Sequence, residues 1–255
     1  MSPAEQDAES LNAIGESAHG PGVFATTHWS VVLEAQGESP AAQEALEKLC
    51  RTYWRPIYGF VRRQGAGAED AEDLTQGFFA LLLERKDLNT VRKEKGRLRS
   101  YLLTSVKHFL ADEARHAMAL KRGKGQRLIP FDGIREGERI DAEYCDRLTA
   151  DQIYERRWAF TVLEQVMARL RDEYRSAGNV RFFDQMKKML MDEPDRQSQA
   201  QIASEFDMTE NAVKQAFYRF RQRYQTLLRE EIAHTVATPG EIEDELRHLI
   251  SVVRA

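Results

Sequence analysis

The sequence predicts an all-α protein made of two helical domains joined by a flexible linker. Three observations point there. Apolar residues return at intervals of three and four through most of the chain, the stripe of helices lying on a core. No stretch sustains the period-two alternation of a half-buried strand. Between the helical blocks, Lys121 to Gly137 (KRGKGQRLIPFDGIREG) carries several glycines and a proline with no helical period, as a linker does.

Residues 1–23 are rich in Ala, Glu, Ser and Gly. They offer too little apolar surface to offset the entropy of ordering, so a disordered N-terminus is expected. The first helical pattern is Thr27–Gln36. The second runs from Ala41 to Arg63, with Leu46, Leu49, Tyr53, Ile57 and Phe60 on one face. A third spans Ala68–Glu84 and a fourth Leu98–His116, which together give a first domain over residues 24–120 and a linker over 121–150. Helical pattern resumes near Asp151, pauses at Ser176–Asn179 and continues to about Asp192, where Pro194 stops it. A short amphipathic segment, Gln199–Phe206, meets a tight link at Asp207–Met208. The longer helix Thr209–Arg229 follows, with Thr209 as its N-cap. These elements form a second domain over residues 151–236.

The tail, residues 237–255, opens with Pro239-Gly240 and carries a last helix, Glu241–Val253. Its stripe is Glu241, Ile242, Leu246, Leu249, Ile250 and Val253. A helix this short is marginal alone and needs a surface to bury against. Docking on the core of the second domain is favoured by adjacency in sequence. The other expectation is that its acids, Glu241, Glu243, Asp244 and Glu245, lie over the basic helix 209–229 and shield it.

Composition narrows the function classes. The 255 residues carry 37 Lys and Arg against 41 Asp and Glu, a formal net charge of -4. Nonspecific coating of nucleic acid rests on many cations releasing counterions from phosphate, so this balance argues against it. Any nucleic-acid contact has to come from a local basic face or with help from a partner. No apolar run is long enough to span a bilayer. The N-terminal stretch has acids where a secretory signal has early basic residues. Cys50 and Cys145 sit far apart, without metal-ligand spacing, and read as thiols of a reducing cytoplasm. The expectation is a cytoplasmic protein with no membrane association.

Two patterns carry chemistry. In TENAVKQAFYRFRQRYQTLLR, Val213, Ala216, Phe217, Phe220, Tyr224, Leu227 and Leu228 form the core stripe. Lys214, Arg219, Arg221, Arg223 and Arg229 fall mostly off it. A short helix, a tight turn and a longer basic helix is the pattern of a helix-turn-helix, whose second helix enters the major groove. The plainer reading is a surface helix with a solvated charged face. The second pattern is EDAEDLTQ (Glu69–Gln76) followed by GFFALLLER. Asp70, Asp73 and Gln76 share a ridge with Glu72 beside it, while Leu74, Phe78, Leu81 and Leu82 supply the core side. Acids at a helix N-terminus also complement the macrodipole, which accounts for Glu69 and Asp70 without any function. No supporting His or carboxylate spacing makes the ridge a metal or acid–base site. His108, Asp112 and His116 recur every four residues on the fourth helix, but they spread over two turns, too far to close around one ion. Nothing joins a nucleophile, a base and an oxyanion donor, so no catalytic residue, metal or cofactor is expected, and the chain reads as a non-enzyme.

With both patterns in view, LCRTYWRPIYGFVRRQGAGAEDAEDLTQGFFALLLER and KGRLRSYLLTSVKHFLADEARH resemble region 2 of a bacterial RNA polymerase sigma factor of the extracytoplasmic-function type. QAQIASEFDMTENAVKQAFYRFRQRYQTLLRE resembles region 4 of the same family. The blocks stand in the family's order and cover most of Phe24–Glu231.

The resemblance implies a dissociable subunit that binds core RNA polymerase and directs it to promoters through their minus-ten and minus-thirty-five elements. It implies that Asp70, Glu72, Asp73 and Gln76 dock on the beta-prime subunit, where carboxylates on a rigid helix can accept bidentate Arg pairs. The beta subunit is the other polymerase partner, and an anti-sigma factor or other regulator is a further partner class. The fourth helix resembles the one that opens the promoter. Tyr101 stands where relatives usually have Trp, an aromatic that can still stack beside an unpaired base, and His108 stands where they often have Asn, a departure that bears on base identity at the minus-ten element. Arg97, Arg99, Lys107 and Arg115 become candidates for phosphate contacts. In the recognition helix the contacts map to Lys214, Gln215, Tyr218 and Arg219, whose side chains suit guanine, adenine or phosphate. Ala216 stands where many relatives have Arg, implying one missing contact. Asp207 stands where a turn Gly is usual. Two rivals stay open: a helix-turn-helix regulator that acts without polymerase, and a sigma-like adaptor that does not open promoters.

Overall fold

The computed structural model describes residues 40–84, 97–121, 148–236 and 238–254. The expected helix Thr27–Gln36 and nearly all of the expected linker lie outside them. Among the described residues the chain is helical, with no strand. In chain order the helices are α1 Pro40–Arg63, α2 Ala68–Glu84, α3 Leu98–Lys121, α4 Ala150–Ser176, α5 Val180–Met191, α6 Gln199–Glu205, α7 Glu210–Ala233 and α8 Ile242–Arg254. A 3-10 turn, Pro239–Glu241, leads into α8. None of them is long and apolar enough to cross a membrane.

Helix ends follow local chemistry. Between α4 and α5, Gly178 takes φ 76°, a left-handed conformation that costs glycine nothing. Across it the Asn179 N–H donates to Tyr174 O at 2.8 Å and the Gly178 N–H to Arg175 O at 3.0 Å, the paired bonds of a Schellman ending. The α5 helix stops the same way, on left-handed Asp192 with the Glu193 N–H on Lys188 O, so Pro194 follows the stop rather than making it. Inside α1, Pro56 removes one backbone hydrogen bond, yet the helix continues, held by the buried face of Tyr53, Ile57 and Phe60.

The described residues fall into two compact units. One contains residues 163–231. Its core gathers Tyr174, Phe182, Phe183, Ile202, Val213 and Phe220, with Tyr174 edge-on to Phe220 at 5.7 Å. Arg223 reaches back from α7 to grip the Glu173 carboxylate with two bonds, 2.9 and 2.5 Å.

The other unit takes in α1, α2 and α3, together with residues 148–162 and 232–254. Its core includes Tyr53, Phe60, Phe78, Leu102, Val106 and Trp158. The division falls inside α4 and α7, whereas the sequence boundaries at 151 and 236 follow the linker and the turn. The tail belongs to this unit. Its helix α8 meets the start of α3 and the first half of α4, through Glu245 with Arg97 and Arg99 and through His248 with Glu155 and Trp158. The α4 residues it meets, Glu155 and Trp158, lie within the range 151–236 on which docking was expected, and Glu245, one of the four acids expected over the basic helix, is instead held by Arg97 and Arg99. The buried side of α8 is also rotated from the expected stripe: Glu245 and Leu249 are inside, and Ile250 is 45% exposed.

Candidate functional site

Helix α2 presents Asp70, Glu72, Asp73 and Gln76, all four exposed. The opposite side of the helix is anchored by Ala71, Thr75, Phe78, Phe79 and Leu82, all buried. Phe79 stacks on Trp54 of α1 with centroids 5.8 Å apart, and Phe78 meets Phe109 of α3 edge-on at 5.9 Å. The polar ridge therefore sits on a helix braced from two sides. Asp73 also lines a groove of about 710 Å³ between α2 and α3. Its lining combines apolar residues (Leu74, Leu81 and Phe109) with Asp112, Glu113 and His116 of α3. Gly77 also lines the groove, and a Cβ there would make an ordinary contact with the Phe109 ring at 3.4 Å. Sequence reasoning missed Asp112 and Glu113 as an extension of the ridge. Only the packing of α3 against α2 brings them to the groove that Asp73 lines. Among the described residues no cluster of His, Cys, Asp or Glu is arranged to hold a metal ion.

The candidate residues on and beside α3 separate into two groups. At about 100° per residue, Arg97, Tyr101, His108 and Arg115 project to one side. Arg97 and Tyr101 are half-buried, and His108 and Arg115 are exposed. Lys107 is exposed nearby, paired with Asp151 at 2.6 Å and above the Phe60 ring at 5.8 Å. Arg115 pairs with Asp112 one turn back. Surface pairs of this kind are worth about 0–1 kcal/mol, so either cation can exchange its partner for a phosphate.

Arg99 departs from expectation. It lies on the opposite side, in step with Leu102 and Val106, and is 4% exposed. Its guanidinium binds Glu245 at 2.6 Å through Nε and at 3.3 Å through Nη2, and Glu155 at 2.5 Å through Nη1. It lies 5.1 Å above the Trp158 ring, while the Tyr154 hydroxyl donates to the Arg99 carbonyl at 2.9 Å. These carboxylates hold the Arg99 guanidinium even more firmly protonated than usual, against the opposing effect of burial. Arg99 is a buried ion-pair residue here, not a surface phosphate contact.

The α6–α7 pair is built by its caps. Ser198 Oγ accepts the Gln201 N–H at 3.3 Å and Gln201 Oε1 accepts the Ser198 N–H at 2.8 Å, a capping box at the start of α6. Asp207 takes φ 50°, as expected for the residue replacing a turn glycine, and the Met208 N–H closes onto Ala203 O at 2.9 Å. Thr209 Oγ1 then accepts the Ala212 N–H at 3.1 Å, the expected N-cap of α7. On α7, Lys214, Gln215 and Tyr218 are exposed, Tyr218 by 60%, and Arg219 is half-buried. Arg219 lies close enough to Tyr174 to favour its phenolate, but burial dominates and pushes the Tyr174 hydroxyl up to about 12. Arg221, exposed and one turn beyond Tyr218, shares the face of Lys214 and was missed as a contact candidate. Arg223 is occupied by Glu173.

Ala216 is 3% exposed inside the α7 core, where the apolar stripe puts it. Compared with known proteins, the chain matches no family model, no curated protein and no solved structure.

Proposed function

We propose that this chain is a sigma-type initiation subunit, with two helical domains joined by a flexible linker, that binds core RNA polymerase and lends it promoter specificity without chemistry of its own. The observation that carries the reading is the ridge: Asp70, Glu72, Asp73 and Gln76 are all exposed on a helix whose other side is braced by aromatic packing. A regulator acting on duplex DNA alone has no use for a rigid acidic ridge. A subunit docking on a basic surface does, because fixed carboxylates lose little entropy on pairing with Arg. The capped α6–α7 pair supports the other half, offering Lys214, Gln215, Tyr218 and Arg221 on the outer face of the second helix. Cytoplasmic location belongs to the same proposal.

The test is charge reversal. Asp70→Arg with Asp73→Arg should abolish co-purification with core polymerase while leaving the far-UV circular dichroism unchanged. Neither side chain supports the core, so loss of binding would not be loss of fold. Unchanged association in the double variant would reject the assignment.

One observation favours a second reading, the adaptor that does not open promoters. Arg99, near the start of the helix proposed to meet the unpaired strand, is consumed by carboxylates of this chain. Permanganate footprinting separates the two. If the chain opens promoters, Tyr101→Ala should reduce reactivity of the minus-ten thymines more than it reduces closed-complex binding. Wild-type protein that binds polymerase and promoter but yields no reactive thymines would favour the adaptor.

A further inference from the structure

The C-terminal helix holds a fully buried carboxylate that two guanidinium groups share. Glu245 is 0% exposed, and Arg97 Nε lies 2.9 Å from one of its oxygens while Arg99 Nε lies 2.6 Å from the other. Removing a carboxylate from water is expensive and is offset only where charge-assisted bonds replace its hydration. Here both oxygens are engaged in the fork geometry that guanidinium groups use equally for carboxylate and for phosphate. Around the pair, Glu155 bonds Arg99 at 2.5 Å and His248 at 2.9 Å, and Trp158 lies under Arg99. Arg97 keeps 30% of its side chain in solvent and lies on the same side of α3 as Tyr101 and His108. The anion therefore sits at the end of the strip that the proposed function assigns to unpaired DNA.

We propose that α8 is a displaceable cover and that Glu245 occupies the place of a nucleic-acid phosphate, so that lifting α8 opens a binding surface for single-stranded nucleic acid formed by Arg97, Arg99 and Trp158 beside Tyr101. This rests on the reading of α3 as the nucleic-acid face. With Glu245 withdrawn, two guanidinium groups retain one partially exposed carboxylate, Glu155, so the site has spare positive charge. Cations beside aromatic rings are the combination that single strands bind with little sequence preference. Docking of α8 and binding of the strand then compete for one anion site, and the competition is reciprocal: whatever strengthens one weakens the other by the same factor.

The test uses the full chain in two variants, a fluorescent single-stranded oligodeoxynucleotide of about 12 nucleotides, and amide hydrogen exchange over residues 242–254. Glu245→Gln removes the charge in place. Leu249→Ala loosens α8 through its buried apolar contact and leaves every charge unaltered, so a gain in affinity cannot come from net charge. Both variants should speed exchange in α8 and raise oligonucleotide affinity roughly 5- to 150-fold, the ordinary range of coupling between two sites. In the wild type, saturating oligonucleotide should speed exchange over the same residues, a readout that depends on no variant folding. Faster exchange without tighter binding would overturn the proposal, as would α8 staying protected in both variants or the absence of oligonucleotide binding by every form. Failure of the sigma reading would look different: no association of the wild type with core polymerase, whatever the tail does.

Discussion

Replacing Arg99 with methionine should destabilise its unit by about 3–5 kcal/mol, the usual consequence of removing one partner from a buried ion pair. Methionine retains most of the length and apolar contact of the arginine stem, so the loss reports charge rather than a cavity. It leaves Glu245 at 0% exposure with Arg97 as its remaining cation, and Glu155 facing His248. Urea unfolding followed by circular dichroism measures the change, with hydrogen exchange showing where it falls. A double variant, Arg99→Met with Glu245→Met, should recover much of the loss, because replacing both halves of a buried pair with apolar groups is often close to neutral. A loss below about 1 kcal/mol with α8 still protected would mean that the network contributes no more than a surface pair.

That arginine also marks where the sequence stopped being readable. The helices themselves were legible, because amphipathic period and turn chemistry are local. The range Ala68–Glu84 holds to the residue, and Gly178, Asp207 and Thr209 act as their local chemistry dictates. Arg99 was partly legible too: it stands three and seven residues before Leu102 and Val106, on the core side. A charge at a core position is read as inside only once its counter-charge is known, and Glu245 is 146 residues away. The same limit applies to the groove beside α2. Asp112 and Glu113 join Asp73 through the packing of α3, which no spacing within one helix reveals. Ala216 was legible locally: the apolar stripe of α7 placed it inside, and it is 3% exposed. The ridge residues Asp70, Glu72, Asp73 and Gln76 needed only helical geometry, and each is exposed as the pattern requires.

Two aromatic residues of α7 should separate fold from recognition. Phe220 is 0% exposed and packs on Tyr174 and Phe183, both with centroids 5.7 Å away. Phe220→Ala should therefore cost about 3–5 kcal/mol, from lost transfer energy and the cavity left behind. Tyr218, two residues earlier on the same helix, is 60% exposed on the side of Lys214 and Arg221. Its truncation should change stability by no more than about 0.5 kcal/mol. Under the proposed function, Tyr218→Ala should nevertheless lower occupancy of the upstream promoter element by the polymerase complex. Phe220→Ala should lower it only as far as the helix-turn-helix unit is unfolded at the assay temperature. Urea melts of both variants, set beside DNase footprints of the complex at matched folded fractions, give the comparison. Equal footprints for wild type and Tyr218→Ala would remove Tyr218 from the recognition surface. A loss of several kcal/mol in that variant would show that the ring supports the fold despite its exposure.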